Sequence, residues 1–247
     1  MGWDMVVARI AWAVVAVGLL LPGLALVGLN RAINDESVAV ANSLFPAGAP
    51  KVVMGVWAHP DDEITSAGTF ARMAREEGAR LVLAYLTRGD GARLEGKTRE
   101  ALGREREAEA RAAGEVLGAE EVRVFDLPDG GLPGADAAVA RAVIRELIAR
   151  ARPSVIVSFD ERVGYYGHPD HVQVGKWVRE VVEAGAAEPG FPVRRLYQAT
   201  LPQPMIDLAL KMVEAFQRRY PKDAGEGLPA PSVAVRITPA EIGRAHV

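Results

Sequence analysis

Three of the four histidines in this 247-residue chain fall in two short clusters of similar composition. The first is Ala58-His59-Pro60-Asp61-Asp62-Glu63 and the second Gly167-His168-Pro169-Asp170-His171. Carboxylates gathered at one point repel one another unless something positive sits among them, and imidazole beside carboxylate is a donor set for a divalent cation. His59, Asp62 and His171 supply two imidazoles and one carboxylate, which suits a catalytic zinc with a position left for water. Adjacent Asp61 and Asp62 cannot point the same way from one backbone. Asp62 is then free to ligate while Asp61 takes the proton of a water whose pKa the ion has lowered to about 7. His168 lies three residues before His171 at a helix start. It reaches the same substrate without ligating, to stabilise an oxyanion or pass a proton to a leaving amine, while Asp170 holds an imidazole in orientation. Glu63 reads more plainly, as an acid near a helix N-terminus that offsets the dipole.

These clusters need elements to bring them together, because more than a hundred residues separate them. Residues 51–58 form a continuous apolar run suited to a buried strand, 66–79 carry helical periodicity, and 80–87 are a strand again. The alternation continues with a helix over 99–117 closed by Gly118, a strand over 122–127, a helix over 135–151, a strand over 154–159 and a helix from 170 to 184. A strand near 194–201, a helix near 204–218 and a strand over 232–238 follow. Unbroken apolar strands joined by helical crossovers predict a three-layer α/β/α fold around a mostly parallel, Rossmann-like sheet. Ligands of such sheets bind beyond the carboxyl ends of the strands. The polar clusters at 59–63, 87–91, 128–131 and 160–171 each follow a strand, so all four are expected on one edge of the sheet.

Composition narrows the choices. The net charge of −3 and the lack of a Lys/Arg cluster leave no footprint for nucleic acid. The run REREAEAR at 104–111 alternates sign at helical spacing, as a solvated helix face does. The absence of cysteine excludes disulfides, thiolate ligands and a cysteine nucleophile. The loop after the first strand lacks the glycine fingerprint of a nucleotide site, and the elbow motif of serine hydrolases is missing. From Ile10 to Leu29 no charged or strongly polar side chain occurs, and about 20 such residues suffice for a membrane helix. Residues 1–30 are therefore expected to form an uncleaved single-pass anchor rather than a cleaved signal. Residues 31–50 would be a linker and 51–247 the catalytic domain, on the extracytoplasmic side. Thr238, Pro239 and Glu241 mark a helix start with almost no helix behind it. Residues 241–247, EIGRAHV, match the translation of a widely used sequencing adapter, so the natural chain is expected to be longer and to diverge near Ala240.

The two motifs at this separation, in an α/β chain of this size, resemble the PIG-L/LmbE family of zinc-dependent N-acetylglucosamine deacetylases, over about residues 51–241. The resemblance implies His59, Asp62 and His171 as ligands of zinc, or of another divalent ion such as Fe2+, with Asp61 as general base and His168 as the oxyanion-stabilising or acid histidine beside Asp170. It further implies Tyr166 as a group approaching the reacting carbonyl, and Asp90, Arg106 and Asp129 as sugar contacts. The expected reaction is metal-dependent removal of an acetyl group from an N-acetylglucosamine-containing small molecule or glycolipid. A metal phosphoesterase and a non-enzymatic metal- or glycan-binding module are the alternatives. The oligomeric state is left open.

Overall fold

The computed structural model describes residues 23–30, 37–92, 96–201, 205, 207, 211 and 234–235. The chain divides into two compact units, one of Ala39–Leu201 with Asp223–Val247 and one of Met1–Val38 with Pro202–Lys222.

The first unit is built on a five-stranded sheet of β2 (Val52–Trp57), β3 (Arg80–Thr87), β4 (Ala119–Leu127), β5 (Val155–Ser158) and β6 (Arg195–Gln198). Every pairing is parallel and the order is β4-β3-β2-β5-β6. The chain thus winds outward from β2 to β4, then returns to the other side of β2 and winds outward again. β2, β3 and β5 carry apolar residues without alternation because helices cover both faces of the sheet centre. Edge strand β4 is only half-buried along most of its length. It starts at Ala119, three residues before its expected start.

The crossovers are α2 (Ala67–Arg75), α3 (Arg99–Leu117), α4 (Ala137–Ala151) and α6 (Pro169–Ala186), with one irregular turn, α5 (Gly164–Gly167), before the last. α1 is the helical stretch at residues 23–30. Local chemistry sets the helix ends. The Thr98 side chain accepts the Ala101 N–H at the start of α3, and Gly118 closes that helix at φ 82°. The Asp136 carboxylate caps α4 by accepting from Ala138 and Val139. Between sheet and helices lie Trp57, Phe70, Tyr85, Phe159 and Trp177, all essentially inaccessible to solvent. Each such side chain contributes about 1.5–3 kcal/mol by burial. Helix α6 approaches closely enough that a Cβ on Gly175 would meet the backbone of Phe159 and Asp160 at 2.7 Å. That closeness ties the second histidine cluster to the end of β5.

Residues 234–235 of the expected last strand form β7 (Ala234–Val235), which pairs in parallel with β1 (Val40–Ala41) in a separate two-stranded sheet. The expected helix near 204–218 is described at 205, 207 and 211, which are helical. The readings at Thr238, Pro239, Glu241 and 241–247 lie outside the described residues.

The membrane-anchored localisation, with its transmembrane helix and its extracytoplasmic catalytic domain, is corrected. Among the described residues no helix is long and apolar enough to cross a membrane. Of the expected span, residues 10–22 lie outside the described residues and 23–29 belong to α1. An apolar run records that a segment avoids water; it does not record what covers it.

Candidate metal and catalytic site

Strands β2 and β5 lie side by side where the winding reverses, so the loops after them part to either side and leave a crevice. The loop after β2 delivers His59, Asp61 and Asp62, and the loop after β5 delivers Tyr166, His168 and His171. A cleft of about 380 Å3 opens there, lined by His59, Asp61, Asp62, Arg106, Asp129 and His168 among others.

At its base, three donor groups converge. His171 Nε2 lies 3.3 Å from His59 Nδ1 and 3.2 Å from Asp62 Oδ1, while His59 Nδ1 lies 3.5 Å from Asp62 Oδ2. Tetrahedral zinc with bonds of about 2.0–2.1 Å requires ligand atoms about 3.3 Å apart, and each of these separations lies near that value, although Asp62 meets His171 through Oδ1 and His59 through Oδ2. The outer groups agree with that use. His171 Nδ1 is 3.1 Å from the Gly164 carbonyl, to which it can only donate, and Nε2 is the nitrogen turned toward Asp62 and His59. Asp62 Oδ2 accepts the N–H groups of Ala58 (3.1 Å) and His59 (2.7 Å), leaving Oδ1 with its lone pairs free to ligate. The His171 ring also stacks on Phe159 at 4.0 Å and 2°.

His59 Nε2 is held from the other side by Asp129 Oδ1 at 3.1 Å and Asp170 Oδ2 at 3.2 Å. Burial disfavours charge on this imidazole, but Asp129, Asp170 and Asp62 outweigh it and raise its pKa to about 11. A proton on His59 thus does the work of a cation among three carboxylates, and a bound metal ion would take its place. Burial opposes ionisation of Asp62, Asp129 and Asp170 too, yet the hydrogen bonds from their histidine partners keep all three below the usual carboxylate range. Burial, with His171 and His59 adding like charge, lowers the pKa of His168.

Asp61 and Asp62 point in opposite directions, as adjacent side chains must. Asp62 is buried while the Asp61 carboxylate is 64% exposed and faces the cleft. The backbone reversal between them puts Asp61 at φ 101°, in the left-handed region. Arg106 spans this bend, donating to the Pro60 carbonyl at 2.5 Å and to Asp61 Oδ2 at 2.7 Å.

The remaining expected residues are placed as follows. The His168 ring lies 5.0 Å from that of His59 and 4.7 Å from that of His171, and its Nδ1 accepts the Asp170 N–H as the N-cap of α6. All three histidines offer nitrogens within 4.8 Å of one another. Asp170 is fully buried, accepts the N–H groups of Gly130 and Leu132, and orients His59 rather than its sequence neighbour His168. Tyr166 is 44% exposed on the cleft wall, edge-on to His171 at 5.0 Å. Of the three expected sugar contacts, Arg106 and Asp129 line the cleft, but both also hold the loop after β2. Asp90 pairs with Arg99 and is absent from the cleft lining.

Sequence reasoning missed Asp160. Its buried carboxylate collects the N–H groups of Arg162 and Val163, both at 2.9 Å, and of Tyr165 at 3.3 Å. That fold of the loop aims the Gly164 carbonyl at His171. Gly164 takes φ 60°, and a Cβ there would lie 2.5 Å from the Val172 nitrogen. A signal existed in an aspartate directly after a buried strand and four residues before a glycine, but any loop aspartate looks the same.

A crevice at the switch point of a doubly wound sheet, with clustered histidines and carboxylates at its base and an exposed carboxylate paired to Arg106 beside them, is a layout suited to a hydrolytic α/β enzyme. The comparisons narrow that class. The PIG-L family model, described as GlcNAc-PI de-N-acetylase, matches residues 54–182, and the chain belongs to this family. It is 33% identical over 253 aligned residues to a 1D-myo-inositol 2-acetamido-2-deoxy-alpha-D-glucopyranoside deacetylase of Kineococcus radiotolerans, covering 84% of this chain and 66% of that protein, just under two thirds. The protein of the same description from Geodermatophilus obscurus is 31% identical, covering 77% of this chain and 76% of its own length. Among solved structures, N,N'-diacetylchitobiose deacetylase from Pyrococcus horikoshii superimposes with a TM-score of 0.53 at 21% identity, over 70% of this chain and 72% of that one. GalB, the 4-carboxy-2-hydroxymuconate hydratase of Pseudomonas putida KT2440, superimposes with 0.50 at 25% identity, over 60% and 62%. The fold thus carries more than one reaction, and the reaction has to be argued from the site.

Proposed function

We propose that this chain is a metal-dependent deacetylase that hydrolyses the acetamide of an N-acetylglucosamine-containing substrate, a sugar-inositol conjugate in the first instance. The observation that carries the reading is the triangle of His59, Asp62 and His171 at the base of a cleft that also holds Asp61 and His168. The sugar-inositol assignment is supported by the relatives that share the chain over most of its length.

His59, Asp62 and His171 would hold the metal, zinc or another divalent ion such as Fe2+. When bound, it supplies a Lewis acid and lowers the pKa of water at the site. Asp61 accepts a proton from the attacking water as the new C–O bond forms at the acetyl carbon, and gives it up as the C–N bond breaks. His168 has Nδ1 committed to the helix cap, which leaves Nε2 to meet the oxyanion or the departing nitrogen. Tyr166 covers the same carbonyl from the cleft wall. Asp129 and Asp170 keep His59 oriented, and Arg106 keeps Asp61 turned to the cleft. Acetate and a free amine leave.

The test is acetate release from a panel of N-acetylglucosamine conjugates, with the metal content of the purified protein measured alongside. Release that depends on bound metal supports the reading. Turnover of an unsaturated acid by hydration, the reaction named for GalB, would replace it, and hydrolysis of phosphate esters without acetate release would favour the phosphoesterase alternative.

A further inference from the structure

Glu63 sits in the first turn of a short 3-10 segment, Asp62–Ser66, where an acid ordinarily serves the helix dipole from the surface. Its side chain does something else. Glu63 is 6% exposed, and its Oε2 accepts the backbone N–H of Asp61 at 3.0 Å, two residues back along the chain. Asp61 is the residue at φ 101°, a conformation that a non-glycine keeps only where its surroundings hold it. The Asp61 carbonyl is also committed, accepting the Ile64 N–H at 3.1 Å. Both polar groups of this one peptide turn are therefore tied down, and the acceptor for its N–H comes from a buried side chain. Behind it lies Tyr85, fully buried, whose hydroxyl interacts with the Glu63 carboxylate.

The bend is gripped from two sides. Arg106 holds it from the cleft through the Pro60 carbonyl and the Asp61 carboxylate. Arg106 lines the cleft, whereas Glu63 does not.

We propose that Glu63 is a positioning residue, which holds the left-handed turn at Asp61 so that Asp61 faces the reacting centre while its neighbour Asp62 faces the ligand triangle. The proposal rests on the reading of Asp61 as general base. Losing the bond lets the Asp61 peptide relax toward an ordinary conformation, which swings its carboxylate away without removing any metal-fitting group.

The experiment compares Glu63→Gln, Glu63→Asp and Glu63→Met in metal-loaded enzyme with an N-acetylglucosamine conjugate. Glutamine keeps an acceptor oxygen at the same reach, aspartate keeps the charge but is one methylene short, and methionine keeps the volume without the oxygen. Glu63→Gln is expected to recover most of the wild-type kcat. Glu63→Asp and Glu63→Met are expected to lose about 10–100-fold in kcat, the range in which groups that orient a reacting residue act, with KM and metal stoichiometry unchanged. Wild-type kcat in Glu63→Asp overturns the proposal, as does a loss in Glu63→Gln equal to that in Glu63→Met. Asp61→Asn is run in parallel: full activity there overturns the reading of Asp61 itself, whereas an inactive Asp61→Asn beside a fully active Glu63→Asp overturns only the role of Glu63.

Discussion

The two histidine clusters share a motif but are built on opposite plans. The loop after β2 is short and reverses at a non-glycine residue, Asp61 at φ 101°, leaving that carboxylate 64% exposed. The loop after β5 is longer, passes through positive φ at both Gly164 (φ 60°) and Tyr165 (φ 75°), and winds around the buried Asp160. The first stores strain at the group proposed to react, and the second removes freedom from a group proposed to ligate. One site thus divides its labour between a loop that presents a carboxylate to the cleft and a loop that holds a ring in place, each with one non-glycine residue in the positive-φ region.

The largest effects should separate these roles. Asp61→Ala is expected to lower kcat by about 10²–10⁴-fold while the protein keeps its metal; His171→Ala is expected to lose both, as read by metal analysis after gel filtration. Equal metal loss in the two variants would break the comparison. Next, Asp160→Ala should weaken metal affinity by about 10–100-fold in a chelator competition, with kcat restored at saturating metal. A kcat defect that excess metal does not repair would put Asp160 on the presenting side instead. A smaller effect is expected in stability. Asp61→Gly relieves the left-handed φ and should raise the unfolding free energy by about 1 kcal/mol even though the variant is inactive. Glycine's extra backbone freedom in the unfolded chain and the loss of the exposed ion pair with Arg106 offset part of that gain. Calorimetry showing a lower stability would remove strain from the account.

The smallest effect is a proton count. In the metal-free protein His59 is raised to about 11, above its ordinary 6.5, so it is protonated at pH 7. The sign follows: the stability this proton contributes is complete below pH 6.5 and is lost as pH rises toward 11. Metal binding at pH 7 should release about one proton, measured by titration calorimetry in buffers of different ionisation enthalpy. Release of none would mean that His59 is already neutral.

Much of this was legible in the residues. Unbroken apolar strands at 51–58, 80–87 and 154–159 announced a sheet covered on both faces, and polar clusters after each strand announced one functional edge. What stayed hidden depends on which side chain meets which backbone. Asp170 was expected to orient an imidazole, but nothing in spacing says that the ring belongs to His59, 111 residues away. Glu63 resembled a dipole-compensating acid because burial is a property of the fold and not of the motif. Arg106 and Asp129 carry no local sign that they brace a distant loop. The N-terminal apolar run misled for a related reason, since hydrophobicity specifies avoidance of water without naming the neighbour.

The hydrogen-bonding distance between the His59 and His171 rings spans 112 positions in sequence. A growing polypeptide therefore cannot grip an ion until β5 has docked beside β2 and α6 has been synthesised. Any metal held at that point arrives only once both halves of the sheet are in register, and it then acts as a late rivet between them, stabilising the finished fold and no earlier stage.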